Sequence, residues 1–146
     1  MGFIQTEWLV YFYEADNHPY SDWLRFLKKG YKHCGALSYY HAKDTWVHLE
    51  FTHAGIKLSY LDKKEVEDTF HYLSNFKMLR CPVRDQWHLL RIKDLTCVSF
   101  IMRLIGFYKW YIFTPYQLYC ALIKAGYKSF YNQDAKTKEK ILAGDH

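Results

Sequence analysis

The sequence has no Cys-x-x-Cys pair, no apolar run of membrane-spanning length and no dense run of basic residues. Each absence removes a class of protein. The four cysteines, Cys34, Cys81, Cys97 and Cys120, are irregularly spaced, which argues against a zinc ribbon or a small disulfide scaffold and fits reduced thiols in a cytoplasmic protein. Without ~20 consecutive apolar residues no transmembrane segment is expected. Glu7 and Glu14 come too early for a secretory signal peptide. The net charge of +5 is scattered, apart from KTKEK at 136–140, so a nucleic-acid or membrane-surface partner recognised through charge is not expected. There is no internal repeat, low-complexity tract or domain linker.

What is present is a chain of 146 residues, half of them apolar and one fifth aromatic, enough for one domain with a sizeable core built around large rings. EWLVYFYEA (7–15) is rich in β-formers and reads as a strand closed by the turn residues DNHP. YSDWLRFLKKG (20–30) predicts a short helix capped by Ser21. HCGALSYY (33–40) and TWVHLEFTHAGIKLSYL (45–61) predict two or three antiparallel strands. DKKEVEDTFHYLSNF (62–76) predicts a helix with Asp62 and Glu65 in capping-box positions. KMLRCPVRDQWHLLRIKD (77–94) returns to strand composition, with Pro82 confining it to an edge or a strand start.

DLTCVSFIMRLIGF (94–107) reads as a buried helix starting after Asp94 or Thr96 and stopping at Gly106. TPYQLYCALIKAG (114–126) is a helix with Thr114 as cap, Pro115 in the first position and Gln117 completing the box. Residues 127–146 turn polar and read as a loosely docked C-terminal extension. The fold class expected is α+β: an antiparallel sheet packed against a few helices.

Cysteine chemistry needs a base, a group to orient the base, and donors for an oxyanion. A helix N-terminus lowers a thiol pKa and offers unpaired N–H groups, and Cys97 falls in the first turn of its helix. Five of the eight histidines, His33, His41, His48, His53 and His71, lie in the hairpin region or the helix after it. A loop centred near Tyr40 and His41 would place His33 opposite His48 on one sheet face. A tighter turn at Ala42 to Thr45 would pair Tyr39 with His48 instead.

HCGAL and TWVHLE followed by LTCVSFIMRLIG resemble the circularly permuted papain-like enzymes, the group containing lecithin:retinol acyltransferase and relatives of the NlpC peptidases. In that group the base histidine opens a strand, a second histidine follows in the next strand, and the cysteine comes last at a helix start. The resemblance implies a permuted papain-like core with Cys97 as nucleophile, His33 as base and His48 as orienting residue. Glu50, on the same strand face, is the alternative to His48. Thr96 stands where asparagine is frequent in the acyltransferase branch.

The function expected is a cysteine-dependent hydrolase acting through an acyl-enzyme on a peptide, amide, ester or thioester. It needs no organic cofactor and no metal, since neighbours such as His33 and Cys34 point to opposite faces of a strand and cannot readily share an ion. Against this stand two plainer readings: a papain-like module of a virus or phage particle that binds without catalysis, and an aromatic-rich domain binding nucleic acid or protein. Taken alone, Cys97 is a packed helix cysteine and His33 and His48 are ordinary strand residues. Cys81 and Cys120 read as packing residues, and the rings of FYKWYIF (107–113) as core and surface tyrosines rather than base-stacking platforms.

Overall fold

The computed structural model describes residues 7–14, 27–52, 54–83 and 96–131. Their architecture is α+β: a six-stranded antiparallel sheet with three helices. The strands are β1 (Glu7–Tyr13), β2 (His33–Tyr40), β3 (Thr45–Thr52), β4 (Gly55–Leu61), β5 (Lys77–Pro82) and the two-residue β6 (Lys128–Ser129). The helices are α1 (Lys63–Leu73), α2 (Cys97–Leu104) and α3 (Pro115–Lys124). The sheet order is β4-β3-β2-β1-β5-β6, so β1 and β2 lie in the middle.

Both faces of the central strands are covered, which is why EWLVYFY is apolar almost throughout rather than alternating. Val10, Phe12, Cys34, Ala36, Leu79 and Cys81 point to one face and pack with Val98, Ile101 and Met102 of α2 and Leu118 and Leu122 of α3. Leu9, Tyr11, Leu37, Trp46 and Met78 point to the other and meet Val66, Phe70 and Leu73 of α1. Phe70 and Leu73 are nearly fully enclosed. Truncating Phe70 to alanine would cost ~3–5 kcal/mol.

All three helices start on reciprocal caps. Asp62 accepts from the Glu65 amide and Glu65 from the Asp62 amide, both at 2.8 Å. Thr114 caps α3 through Gln117, as the sequence predicts. At α2 the cap is Thr96, with Ser99 completing the box.

Three expectations are corrected. The β2–β3 register pairs Tyr40 with Thr45, Leu37 with His48 and Gly35 with Glu50. Neither His33 nor Tyr39 therefore faces His48. The cause is a loop of four residues, His41 to Asp44, in which His41–Lys43 form a 3₁₀ turn and Asp44 takes a left-handed φ of 49°.

The polar tail does not begin at residue 127. Tyr127 and Phe130 are buried and β6 pairs with β5, because two rings spaced three apart outweigh the polar residues around them. Cys120 is exposed rather than packed. Most of the helix expected over 20–30, the continuation of the 77–94 strand past Val83, and the tail from residue 132 lie outside the described residues.

Candidate active site

Two chain elements begin side by side. β2 opens on His33 and α2 opens on Cys97, and α2 packs on β2. Thr96 Oγ1 accepts from the Ser99 amide at 3.2 Å, Ser99 Oγ accepts from the Thr96 amide at 2.8 Å, and the Thr96 carbonyl accepts from the Phe100 amide. The cap thus engages the amides of Ser99 and Phe100. Those of Cys97 and Val98 belong to the first turn, at the positive end of the helix.

Cys97 is partly buried, and the groups that bear on the ionisation of its sulfur are the Cys34 thiol, His33 and the Cys34 amide. The Cys34 thiol has the largest influence on its titration. Burial opposes ionisation, the hydrogen bond and charge of His33 favour it, and the net result holds Cys97 well below the ordinary thiol range. Burial works against protonating His33, yet the hydrogen bond and charge of Cys97, the charge of Glu50 and a bond to the Phe51 backbone raise it above its ordinary value. The two shifts have the directions of a thiolate–imidazolium pair. Cys34 itself is fully enclosed, and burial followed by the neighbouring Cys97 keeps it protonated well above the usual range.

The next group outward from His33 is a carboxylate. His33 Nε2 lies 3.6 Å from Glu50 Oε1, and the Tyr13 hydroxyl donates to that same oxygen at 2.6 Å. The Tyr13 ring also stands edge-on to His33, with ring centres 5.3 Å apart.

Register explains why Glu50 reaches His33. Glu50 pairs with Gly35, two residues along β2 from His33, about 7 Å, a span that a long side chain closes. His48 pairs with Leu37, four residues along, about 13 Å. It shares the face but does not meet His33. Its Nε2 lies 2.6 Å from the Tyr11 hydroxyl instead. Burial lowers the His48 pKa against the charge of Glu50, with Lys57 adding to the drop.

Gly35 makes room for this second pair. A Cβ there would overlap the Tyr11 ring and hydroxyl, which lie directly over it. Burial, and then the charge of Glu50, keep Tyr11 a neutral phenol far above its ordinary pKa.

Of the four candidates from the sequence, the structure brings Cys97, His33 and Glu50 together and sets His48 apart. Sequence reasoning missed Cys34 and Tyr13. The signal for Cys34 was its adjacency to His33: where a helix start meets the end of a strand, both faces of the strand are within reach. Tyr13 could have been found from the two-residue alternation of Tyr11 and Tyr13. Cys81, enclosed in the core, has its thiol pushed up by burial and then by Glu7. Among the described residues no group of three or more His, Cys, Asp or Glu side chains is arranged to hold a metal ion, and no helix is long and apolar enough to cross a membrane.

Comparison of the chain with protein-family models and with curated proteins, and of its fold with solved structures, gave no match.

Proposed function

We propose that this chain is a cysteine-dependent hydrolase of the permuted papain-like kind, acting on the carbonyl of a peptide, amide, ester or thioester. The observation that carries the reading is the placement of Cys97, first residue of α2, against the start of β2 at His33, whose Nε2 lies 3.6 Å from Glu50 Oε1. Support also comes from chain order. Base on one strand, its partner on the next and cysteine last, at a helix start, is the order of that group, with Glu50 here in place of the group's second histidine.

The Cys97 thiolate attacks the carbonyl carbon, forming a C–S bond while the carbonyl π electrons move to oxygen. The helix-end amides of Cys97 and Val98 are the donors for that oxyanion. On collapse the bond to the leaving amine, alcohol or thiol breaks, and protonated His33 supplies the proton. His33, now neutral, takes a proton from water as the water attacks the acyl-enzyme. The tetrahedral intermediate expels the Cys97 thiolate and releases the carboxylic acid. Glu50 holds the His33 ring and stabilises its charged form, and Tyr13 holds Glu50.

The test is direct trapping of the acyl group. The protein is incubated with activated ester, thioester and anilide probes, and each cysteine is examined by mass spectrometry. The acyl adduct is expected on Cys97 and not in Cys97→Ala. Exposed Cys120 is an internal control: adducts no more abundant on Cys97 than on Cys120 would defeat the reading.

A further inference from the structure

The turn between α2 and α3 presents large rings to solvent. Trp110 is 76% exposed, Phe113 69%, Tyr111 54% and Tyr108 42%, although apolar side chains in a run such as FYKWYIF ordinarily turn inward. The turn is anchored rather than loose. Its centre, Ile112, is buried, and the Ile112 amide donates to the Lys109 carbonyl at 3.2 Å. Gly106, with a φ of 70°, ends the helix before it, and Gln117 Oε1 accepts from the amides of Phe113 and Thr114 at its far end. The rings are therefore held outward by the fold.

The charge of this stretch of sequence has one sign. Residues 95–133 contain no Asp or Glu, while Arg103, Lys109, Lys124 and Lys128 all fall within them. Arg103 lies over the Tyr108 ring at 4.7 Å and Lys109 over Phe107 at 5.8 Å, so cations are interleaved with the rings.

We propose that this turn docks on an anionic lipid surface, with Trp110 and Phe113 entering the headgroup boundary and Lys109 facing lipid phosphate or carboxylate. Trp and Tyr carry an apolar body and a polar edge suited to that boundary, and nearby cations add electrostatic attraction. The scattered charge of the whole sequence gives no sign of this. It emerges only when the fold exposes the rings within an acid-free stretch. A soluble protein partner or a second copy of this chain would need its own acidic groups at the contact, and an anionic bilayer supplies them everywhere.

The experiment is co-sedimentation of the full chain with phosphatidylcholine vesicles, with and without phosphatidylserine. It uses wild type, the double variant Trp110→Ser/Phe113→Ser, and, as control, Ile56→Ser, an exposed apolar residue on edge strand β4. Circular dichroism checks that all three are folded. Wild type and the control should bind the phosphatidylserine vesicles, more weakly as salt rises. The double variant should partition at least about tenfold less. Failure of folded wild type to bind, or equal binding by the double variant, overturns the proposal. So does concentration-dependent self-association that the double variant abolishes while no vesicle binding is seen, which would identify a second copy as the occupant.

Discussion

Glu50 Oε1 lies 3.6 Å from His33 Nε2 and accepts a 2.6 Å hydrogen bond from Tyr13, whereas His48 is bonded to Tyr11. The two candidates for the orienting role are thereby separated by position alone. Replacing Glu50 with glutamine keeps an acceptor for Tyr13 and removes the negative charge that favours protonated His33. Alkylation of Cys97 by iodoacetamide near neutral pH should slow by up to about tenfold, the equivalent of one pKa unit. His48→Gln should leave that rate within about twofold, since only the pair with Tyr11 is lost. A larger loss in His48→Gln than in Glu50→Gln would reverse the assignment.

Cys34 has the largest influence on the Cys97 titration, through its thiol and then its amide. Cys34→Ala deletes the thiol donor and keeps the amide. The apparent pKa of Cys97, followed by thiolate ultraviolet absorbance against pH, should rise while remaining below the ~8.5 of a free thiol, because His33 still faces it. An unchanged value would mean that His33 and the helix end alone account for the shift.

His48 gives the stability curve an acid limb. Burial holds its folded pKa below the ordinary ~6.5. The unfolded chain therefore takes up its proton first as pH falls. The stability of the neutral, Tyr11-bonded form is fully present above ~6.5 and is lost progressively toward the lower folded value. His48→Gln should accordingly destabilise the protein more at about pH 8 than at about pH 5, measured by urea unfolding at each. Equal destabilisation at both would show that His48 does not titrate across this interval.

At Gly35 the sign of a single substitution is informative. Alanine in a strand is ordinarily favoured over glycine by ~0.5–1 kcal/mol through backbone entropy. Here a methyl group would collide with Tyr11, so Gly35→Ala should instead cost about 1–3 kcal/mol and perturb the Tyr11–His48 pair. A stabilised variant in chemical denaturation would contradict the packing described.

Local chemistry made much of this fold readable from the sequence. Asp62 with Glu65 and Thr114 with Gln117 announce helix starts because a capping box is a contact between residues three apart. A helix start near Cys97 was readable from the candidate caps Asp94 and Thr96, and the structure selects Thr96, with Ser99 completing the box. The register of β2 against β3 was not, since it depends on Asp44 adopting a left-handed conformation that a four-residue loop requires. A shift of a few residues there decides whether His48 or Glu50 meets His33. The burial of Tyr127 and Phe130 was hidden because it depends on β6 joining the far edge of the sheet at β5, a pairing between distant parts of the chain. Nor can spacing alone show which rings of residues 107–113 point outward.

The most direct measurement of the central claim is the iodoacetamide labelling rate of each cysteine against pH, by mass spectrometry, in wild type and His33→Ala. Cys97 is held below the ordinary thiol range by Cys34 and His33 together. It should label fastest, with an apparent pKa below ~8.5 that rises when His33 is removed. A Cys97 no faster than Cys34, Cys81 and Cys120, or unaffected by loss of His33, would contradict a thiolate–imidazolium pair and leave Cys97 a packing residue of α2.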